Sequence, residues 1–320
     1  MNQPGAKPTF LVIGAGKAGT TTFWQLLRQH PQIFMSTRKE PHFFSFDKNF
    51  ARGAAWYEAH FAEGRDHAHR GEASTTYSLR NLFPHAAERI AAYDPTLKLI
   101  YLVRDPGERI ESAWQQLRRF GPAPGLRAAG MGDVPDAMWV DNSFDRAVRL
   151  QSQALVESTN YRKELALYEQ HFCREQILVL LFEDLKRDPR AVMGRCFGFL
   201  GVDSEVELTD YAAHENVYGH YPVLRPGLRR FWSVARRREV SAALVDRLPQ
   251  ALCERLSRWF LRVPLSGRPR WEPETRSWML ECLGDDLRVF LRAHGYPEDV
   301  WDLGDGTTPM RGVAASRAGP

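Results

Sequence analysis

No stretch of this 320-residue chain reaches the ~18 uncharged residues that a bilayer-spanning helix needs, and residues 1–8 carry no apolar run behind their one basic residue, Lys7. The expectation is therefore a soluble, cytoplasmic protein. Cysteine is scarce: Cys173, Cys196, Cys253 and Cys282 stand far apart with no paired metal-ligand spacing, so neither a disulfide framework nor a cysteine-held metal is expected. Neither sign of charge dominates, since 43 Lys and Arg oppose 39 Asp and Glu for a net +4. That balance suits a small anionic ligand and is too weak and dispersed to argue for nucleic acid. Internal repeats are absent as well. What remains is ordinary globular composition, 43% hydrophobic and 26% charged, in a chain long enough to bury one large core.

Three short aliphatic runs stand out: Phe10-Leu11-Val12-Ile13, residues 97–103 and residues 177–182. Each is separated from the next by helical pattern, which is how buried parallel strands look when helices cover both faces of a sheet. The expected class is α/β, a central parallel sheet flanked by helices. Lys98 sits ambiguously within the second run. After it, Asp105 can cap a helix, Pro106 suits its first position and Glu108 stands where a capping box wants its carboxylate. Residues 1–302 read as one domain, with a mobile surface loop at 121–142 and a disordered tail from 303 to 320.

The first run ends in Gly14-Ala15-Gly16-Lys17-Ala18-Gly19-Thr20-Thr21-Thr22, followed by an amphipathic stretch over residues 20–29. A strand-to-helix turn of this kind converges backbone N–H groups and the positive helix end on one point, where phosphate binds. It is not the NTPase P-loop, whose Lys directly follows the last Gly, because Lys17 precedes Gly19 by two residues. Gly14, Gly16 and Gly19 do keep the G-x-G-x-x-G spacing of a dinucleotide fingerprint, a pattern of low specificity by itself.

Lys17 to Thr21 instead resembles the 5′-phosphosulfate loop of the sulfotransferases that use 3′-phosphoadenosine 5′-phosphosulfate (PAPS). Arg104-Asp105-Pro106 with Ser112 resembles that family's 3′-phosphate motif, and eight residues is just over two helical turns, which returns Ser112 to the face of the helix start. His30-Pro31, Lys39-Glu40-Pro41-His42-Phe43-Phe44, Gly71-Glu72-Ala73-Ser74, the run to Glu183-Asp184-Leu185 and residues 295–301 are similar to the heparan-sulfate-type and bacterial branch. The resemblance covers roughly residues 9–302 and implies a P-loop-kinase-like fold. It implies PAPS as donor and 3′-phosphoadenosine 5′-phosphate (PAP) as product, bound by Lys17, Ala18, Gly19, Thr20, Thr21, Thr22, Arg104 and Ser112 without metal.

By the same resemblance Lys17 and Glu40 are catalytic, Lys17 neutralising the leaving oxygen and Glu40 taking the acceptor's proton. Lys39, His42 and Ser74 are expected to meet a carbohydrate, glycolipid or small-molecule acceptor. His42 is the alternative base. On an extended segment Glu40 and His42 would point in much the same direction, and burial would raise the Glu40 pKa while Lys39 pulled it down. Ala73 departs from the pattern, because several heparan sulfate enzymes carry Lys there. A small-molecule or protein-tyrosine sulfotransferase shares the same motifs. From another class, a nucleotide-binding kinase or binding module is opposed by the misplaced Lys17 and by the lack of any strand-closing acid other than Glu183-Asp184.

Residues 225–270 hold twelve Arg, no Lys and only Glu239, Asp246 and Glu254 as acids. Leu252, Leu256, Trp259 and Phe260 share one helical face, with Arg255, Arg258 and Arg262 on another. Either this is an ordinary docked helix or it touches an anionic membrane surface or a polyanionic acceptor. In the second case the protein should sediment with acidic vesicles at low salt, leave them as ionic strength rises, and ignore neutral vesicles. Equal recovery in the supernatant with both lipids would support the docked helix.

Overall fold

The computed structural model describes residues 6–120, 143–209, 222–224, 262–264 and 268–304. The expected loop at 121–142 and most of the arginine-rich segment lie outside the described residues, as do residues 305–320. Strand β1 (Phe10–Gly14) leads into helix α1 (Thr20–Leu27), and β2 (Ile33–Met35) is followed by short helices α2 (Asp47–Phe50) and α3 (Ala54–Glu58). Next come β3 (His69–Ala73), α4 (Ala86–Tyr93), β4 (Lys98–Val103) and α5 (Pro106–Phe120). Helices α6 (Phe144–Leu150), α7 (Ser152–Leu155) and α8 (Tyr161–Glu169) precede β5 (Ile177–Leu181), and α9 (Phe182–Arg187) and α10 (Pro189–Leu200) follow it. A long α11 (Pro273–Ala293) comes near the end of the described chain.

The five strands form one parallel sheet in the order β2-β3-β1-β4-β5, with Phe10 of β1 registered against Gly71 on one side and Lys98 on the other. β1 is central and completely buried. It needs apolar residues on both faces, because helices cover both. Strands β3 and β4 flank β1 on opposite sides, so the loops leaving all three meet at one sheet edge, the place where open parallel sheets hold ligands.

Three of the strands match the aliphatic runs. β2 and β3 do not: β3 reads His-Arg-Gly-Glu-Ala and has no aliphatic signal. Gly71 explains part of this, since its missing side chain makes room for the Phe10 ring from the neighbouring strand. The ambiguity at Lys98 resolves into a cap. Its ammonium donates to the carbonyls of Phe199 and Leu200, at 2.7 and 3.2 Å, in the last turn of α10, where the helix end is negative. The third strand stops at Leu181, one residue earlier than its aliphatic run, and Phe182 opens α9.

Two expectations change. Arg262, placed on the basic helical face, lies instead in strand β7 (Arg262–Pro264), which pairs antiparallel with β6 (Pro222–Leu224). Pro264 could not have continued a helix. The tail was expected to begin at residue 303, yet Leu303 is buried and its carbonyl accepts from Arg288 at 2.5 Å. Arg276 pairs with Asp302 beside it at 2.8 Å. No described helix is long and apolar enough to cross a membrane.

Substituting Gly71→Ala tests the sheet register. A Cβ there would stand 2.2 Å from the Phe10 ring, so overpacking should cost about 1–3 kcal/mol in urea unfolding. An unchanged midpoint would show that β1 and β3 are not in this register.

Candidate active site

The loop after β1 is tied to its neighbour strand, for Ala15 N–H donates to the Leu102 carbonyl at 2.6 Å. Gly19 ends the loop and caps α1 with φ +84°, and a Cβ there would lie 2.3 Å from the Phe182 ring, so both backbone and space demand glycine. Gly19 has no side chain to cap the helix. The N–H groups of the first turn are therefore offered to an anion. Lys17 precedes them in a left-handed conformation, φ +71°, half-buried. Thr20 is buried, Thr22 half-buried and Thr21 exposed.

Arg104 leaves the end of β4 almost fully buried. Its guanidinium donates to Glu108 Oε2 at 2.6 and 3.2 Å and to the Lys17 carbonyl at 3.3 Å, and lies 5.0 Å from the centroid of Phe182. The capping box is thus only half formed. Asp105 Oδ1 does accept from Glu108 N–H at 2.8 Å. The Glu108 carboxylate, however, turns to Arg104, and the Asp105 N–H donates instead to Glu183 at 2.9 Å. A full positive charge outcompetes a backbone amide for a carboxylate. Ser112 is half-buried one turn beyond Glu108, on the same face of α5. Arg268, which the motifs did not single out for this site, reaches Glu108 Oε1 at 3.4 Å.

Glu40 and His42 are not on an extended segment. Both have positive φ, +59° and +53°, which non-glycine residues hold only under external support. A run of hydroxyls after β3 supplies it. Ser74 Oγ accepts the His42 backbone N–H at 3.0 Å, Thr75 Oγ1 donates to Glu40 Oε1 at 3.1 Å, and Thr76 Oγ1 meets His42 Nδ1 at 2.9 Å. Thr75 also flanks the phosphate loop, its Cβ standing 3.7 Å from where a Gly16 Cβ would be. One side chain therefore stands beside the loop and bonds the carboxylate. Ser74 is fully buried and engaged with His42. It holds the turn, which corrects the expectation that it meets an acceptor. Thr75 and Thr76 escaped the sequence reading because β3, which ends just before them, carries no strand pattern.

Burial alone would raise the Glu40 pKa, but Lys39 at 3.1 Å, His42 at 3.7 Å and the Thr75 hydroxyl together bring it below the usual carboxylate value. Glu40 is then an anion at neutral pH. Burial depresses His42 to about 4, with Arg38 and Lys39 adding to the effect and Glu40 opposing it. Glu183 has two structural partners, the Asp105 N–H and the Trp301 indole at 3.2 Å, which leaves it no Walker-B-like role. Among the described residues no group of three His, Cys, Asp or Glu is arranged to hold a metal ion.

A neutral His42 follows at physiological pH. Its ring nitrogens, followed by ¹⁵N NMR, should show no titration between pH 6 and 8 and a midpoint near 4. A midpoint near 6.5 would show that the ring is open to water.

The chain is similar to known proteins across most of this fold. Residues 7–217 match the family described as Sulfotransferase domain. Human heparan sulfate glucosamine 3-O-sulfotransferase 6 is 31% identical over 223 residues, 68% of this chain and 58% of the relative. Mouse bifunctional heparan sulfate N-deacetylase/N-sulfotransferase 4 is 28% identical over 204 residues, 61% of this chain and 22% of the relative. The match thus spans little more than half of the first relative and under a quarter of the second. Among solved structures, a sulfotransferase from Alicyclobacillus acidocaldarius superposes with a TM-score of 0.50 at 26% identity, covering 77% of this chain and 98% of that one. With the family matched across most of the described fold, and the phosphate loop, Arg104 and Glu40 at the ends of β1, β4 and the turn beside β3, the chain belongs to the sulfotransferase domain family.

Proposed function

We propose that this chain transfers the sulfuryl group of PAPS to a hydroxyl or amine of a carbohydrate or glycoconjugate, leaving PAP. The observation that supports this reading is Thr75, which stands beside the glycine-rich loop and donates to the Glu40 carboxylate. It sets an anion-binding loop and an ionised base side by side. The acceptor class is supported by the names of the relatives, which act on glucosamine in heparan sulfate or carry an N-sulfotransferase activity. A cytoplasmic setting remains part of the proposal.

The residues present suit the donor's two phosphate groups. The uncapped first turn of α1 and Lys17 offer donors and positive charge to one, and the Arg104 fork with the Ser112 face of α5 to the other. When bound, PAPS would supply the group to be transferred. Lys17 would then offset charge gathering on the leaving oxygen. Glu40 takes the acceptor's proton at Oε2, since Oε1 already accepts from Lys39 and Thr75. Glu108 holds the Arg104 guanidinium in its fork geometry and would have to share it with the 3′-phosphate.

PAP should bind in the presence of a chelator, read by calorimetry, and an absolute Mg²⁺ requirement would overturn the reading in favour of a kinase-like site. Arg104→Ala should weaken PAP by about 30–150-fold and Ser112→Ala by about 5-fold, the worth of a charged bidentate contact and of a neutral hydroxyl bond. With donor saturating, Glu40→Gln should lower turnover of heparan sulfate oligosaccharides about 10²–10⁴-fold, and His42→Ala far less. The reverse ranking would move the base to His42. Labelled-sulfate transfer to a panel of oligosaccharides, glycolipids, phenols and tyrosine peptides identifies the acceptor.

A further inference from the structure

Glu72 lies in the middle of the sheet with no exposed surface, beside β1 at Leu11. No cation faces it. Its Oε1 accepts the Tyr77 hydroxyl at 2.5 Å and the Tyr57 hydroxyl at 3.2 Å, while its Oε2 is buried without a partner. Burial pushes its pKa up to about 7. Such a group is unfavourable for stability, since a buried carboxyl with one oxygen unsatisfied costs more than an apolar residue of the same shape.

The two tyrosines show what the carboxyl does. Tyr77 directly follows the hydroxyl run Ser74-Thr75-Thr76 that holds Glu40 and His42, and its own carbonyl accepts from Tyr168 at 2.9 Å. Tyr57 stacks flat on Phe43, the residue after His42, with ring centroids 4.5 Å apart and planes within 5°. One carboxylate oxygen therefore joins both walls of the strained turn: the hydroxyl run on one side and the chain leaving His42 on the other. Glu40 and His42 keep positive φ only because both walls are held.

We infer that Glu72 is a positioning residue for Glu40, fixing through Tyr77 and Tyr57 the turn that presents the carboxylate to the phosphate loop. This rests on the reading of Glu40 as base. Glu72 touches neither donor nor acceptor, and its effect runs through hydrogen-bond acceptance and not through its charge.

The test uses the full chain with Glu72→Leu, which removes the acceptor atoms, and Glu72→Gln, which keeps one for the tyrosines. Transfer from PAPS to heparan sulfate oligosaccharides should fall about 10–100-fold in kcat for Glu72→Leu, the usual effect of a small misplacement of a reacting group. PAP affinity should stay within about two-fold, because the phosphate contacts lie on other elements. Glu72→Gln should recover most of the rate, and the His42 ¹⁵N signals should shift in the Leu variant and not in the Gln variant. Where Glu72→Leu fails to fold, Tyr77→Phe removes a single donor and should show the same split between kcat and PAP affinity. Parental kcat in Glu72→Leu, a Gln variant as impaired as the Leu variant, or PAP affinity falling in step with kcat would each overturn the inference. Should Glu40→Gln itself keep the parental rate, the base reading fails, and the His42 signals still decide whether Glu72 holds the turn.

Discussion

The site depends on one local constraint: two non-glycine residues of one turn, Glu40 and His42 on either side of Pro41, are held in the left-handed region of backbone space. Left-handed geometry is unfavourable for side chains with a Cβ. It persists here because three consecutive hydroxyls at the end of β3 each make a bond to that turn. The geometry of the Glu40 carboxylate is thus set by a strand to which it does not belong. That strand is placed by its pairing with β1 through Gly71, whose lack of a side chain admits the Phe10 ring.

Electrostatics at the sheet edge follows the same logic of neighbours over intrinsic preference. Glu40 is half-buried and Glu72 fully buried, yet their pKa values move in opposite directions. Lys39, His42 and a hydroxyl outweigh burial at Glu40, whereas only hydroxyls oppose it at Glu72. A carboxyl pair pushed apart in this way separates an ionised group able to take a proton from one that is half neutral near pH 7. Arg104 shows the balance from the cationic side. Its guanidinium is already oriented by Glu108 and the Lys17 carbonyl, so little side-chain freedom remains to be lost when an anion binds.

How much of this was legible in the chain itself varies by element. β1, β4 and β5 could be read because buried parallel strands are continuous aliphatic runs, and the glycine-rich loop because its Gly and Thr residues with Lys17 stand between an aliphatic run and an amphipathic stretch. β3 could not. Its buried residues are a glycine under an aromatic ring, a carboxyl between two tyrosines and an alanine, so its strand character comes from its partners. The Glu108 carboxylate was legible as part of a capping box, and only the nearness of Arg104 in space diverted it.

By itself, then, the sequence determined the α/β class, the glycine-rich strand-loop-helix that carries Lys17, and the placing of Arg104 at a strand end with Ser112 two turns on. These are local: each follows from residues within about ten positions of one another, where periodicity and backbone preference act directly. Tertiary structure alone decided that Thr75 stands beside the loop and bonds Glu40, that Ser74 supports His42 and does not face outward, and that Glu183 serves Asp105 and Trp301. Those outcomes join residues 32 to 118 positions apart. No spacing rule spans such a separation, because it is closed by the pairing of β3 and β4 with β1 and not by any preference of the residues that meet.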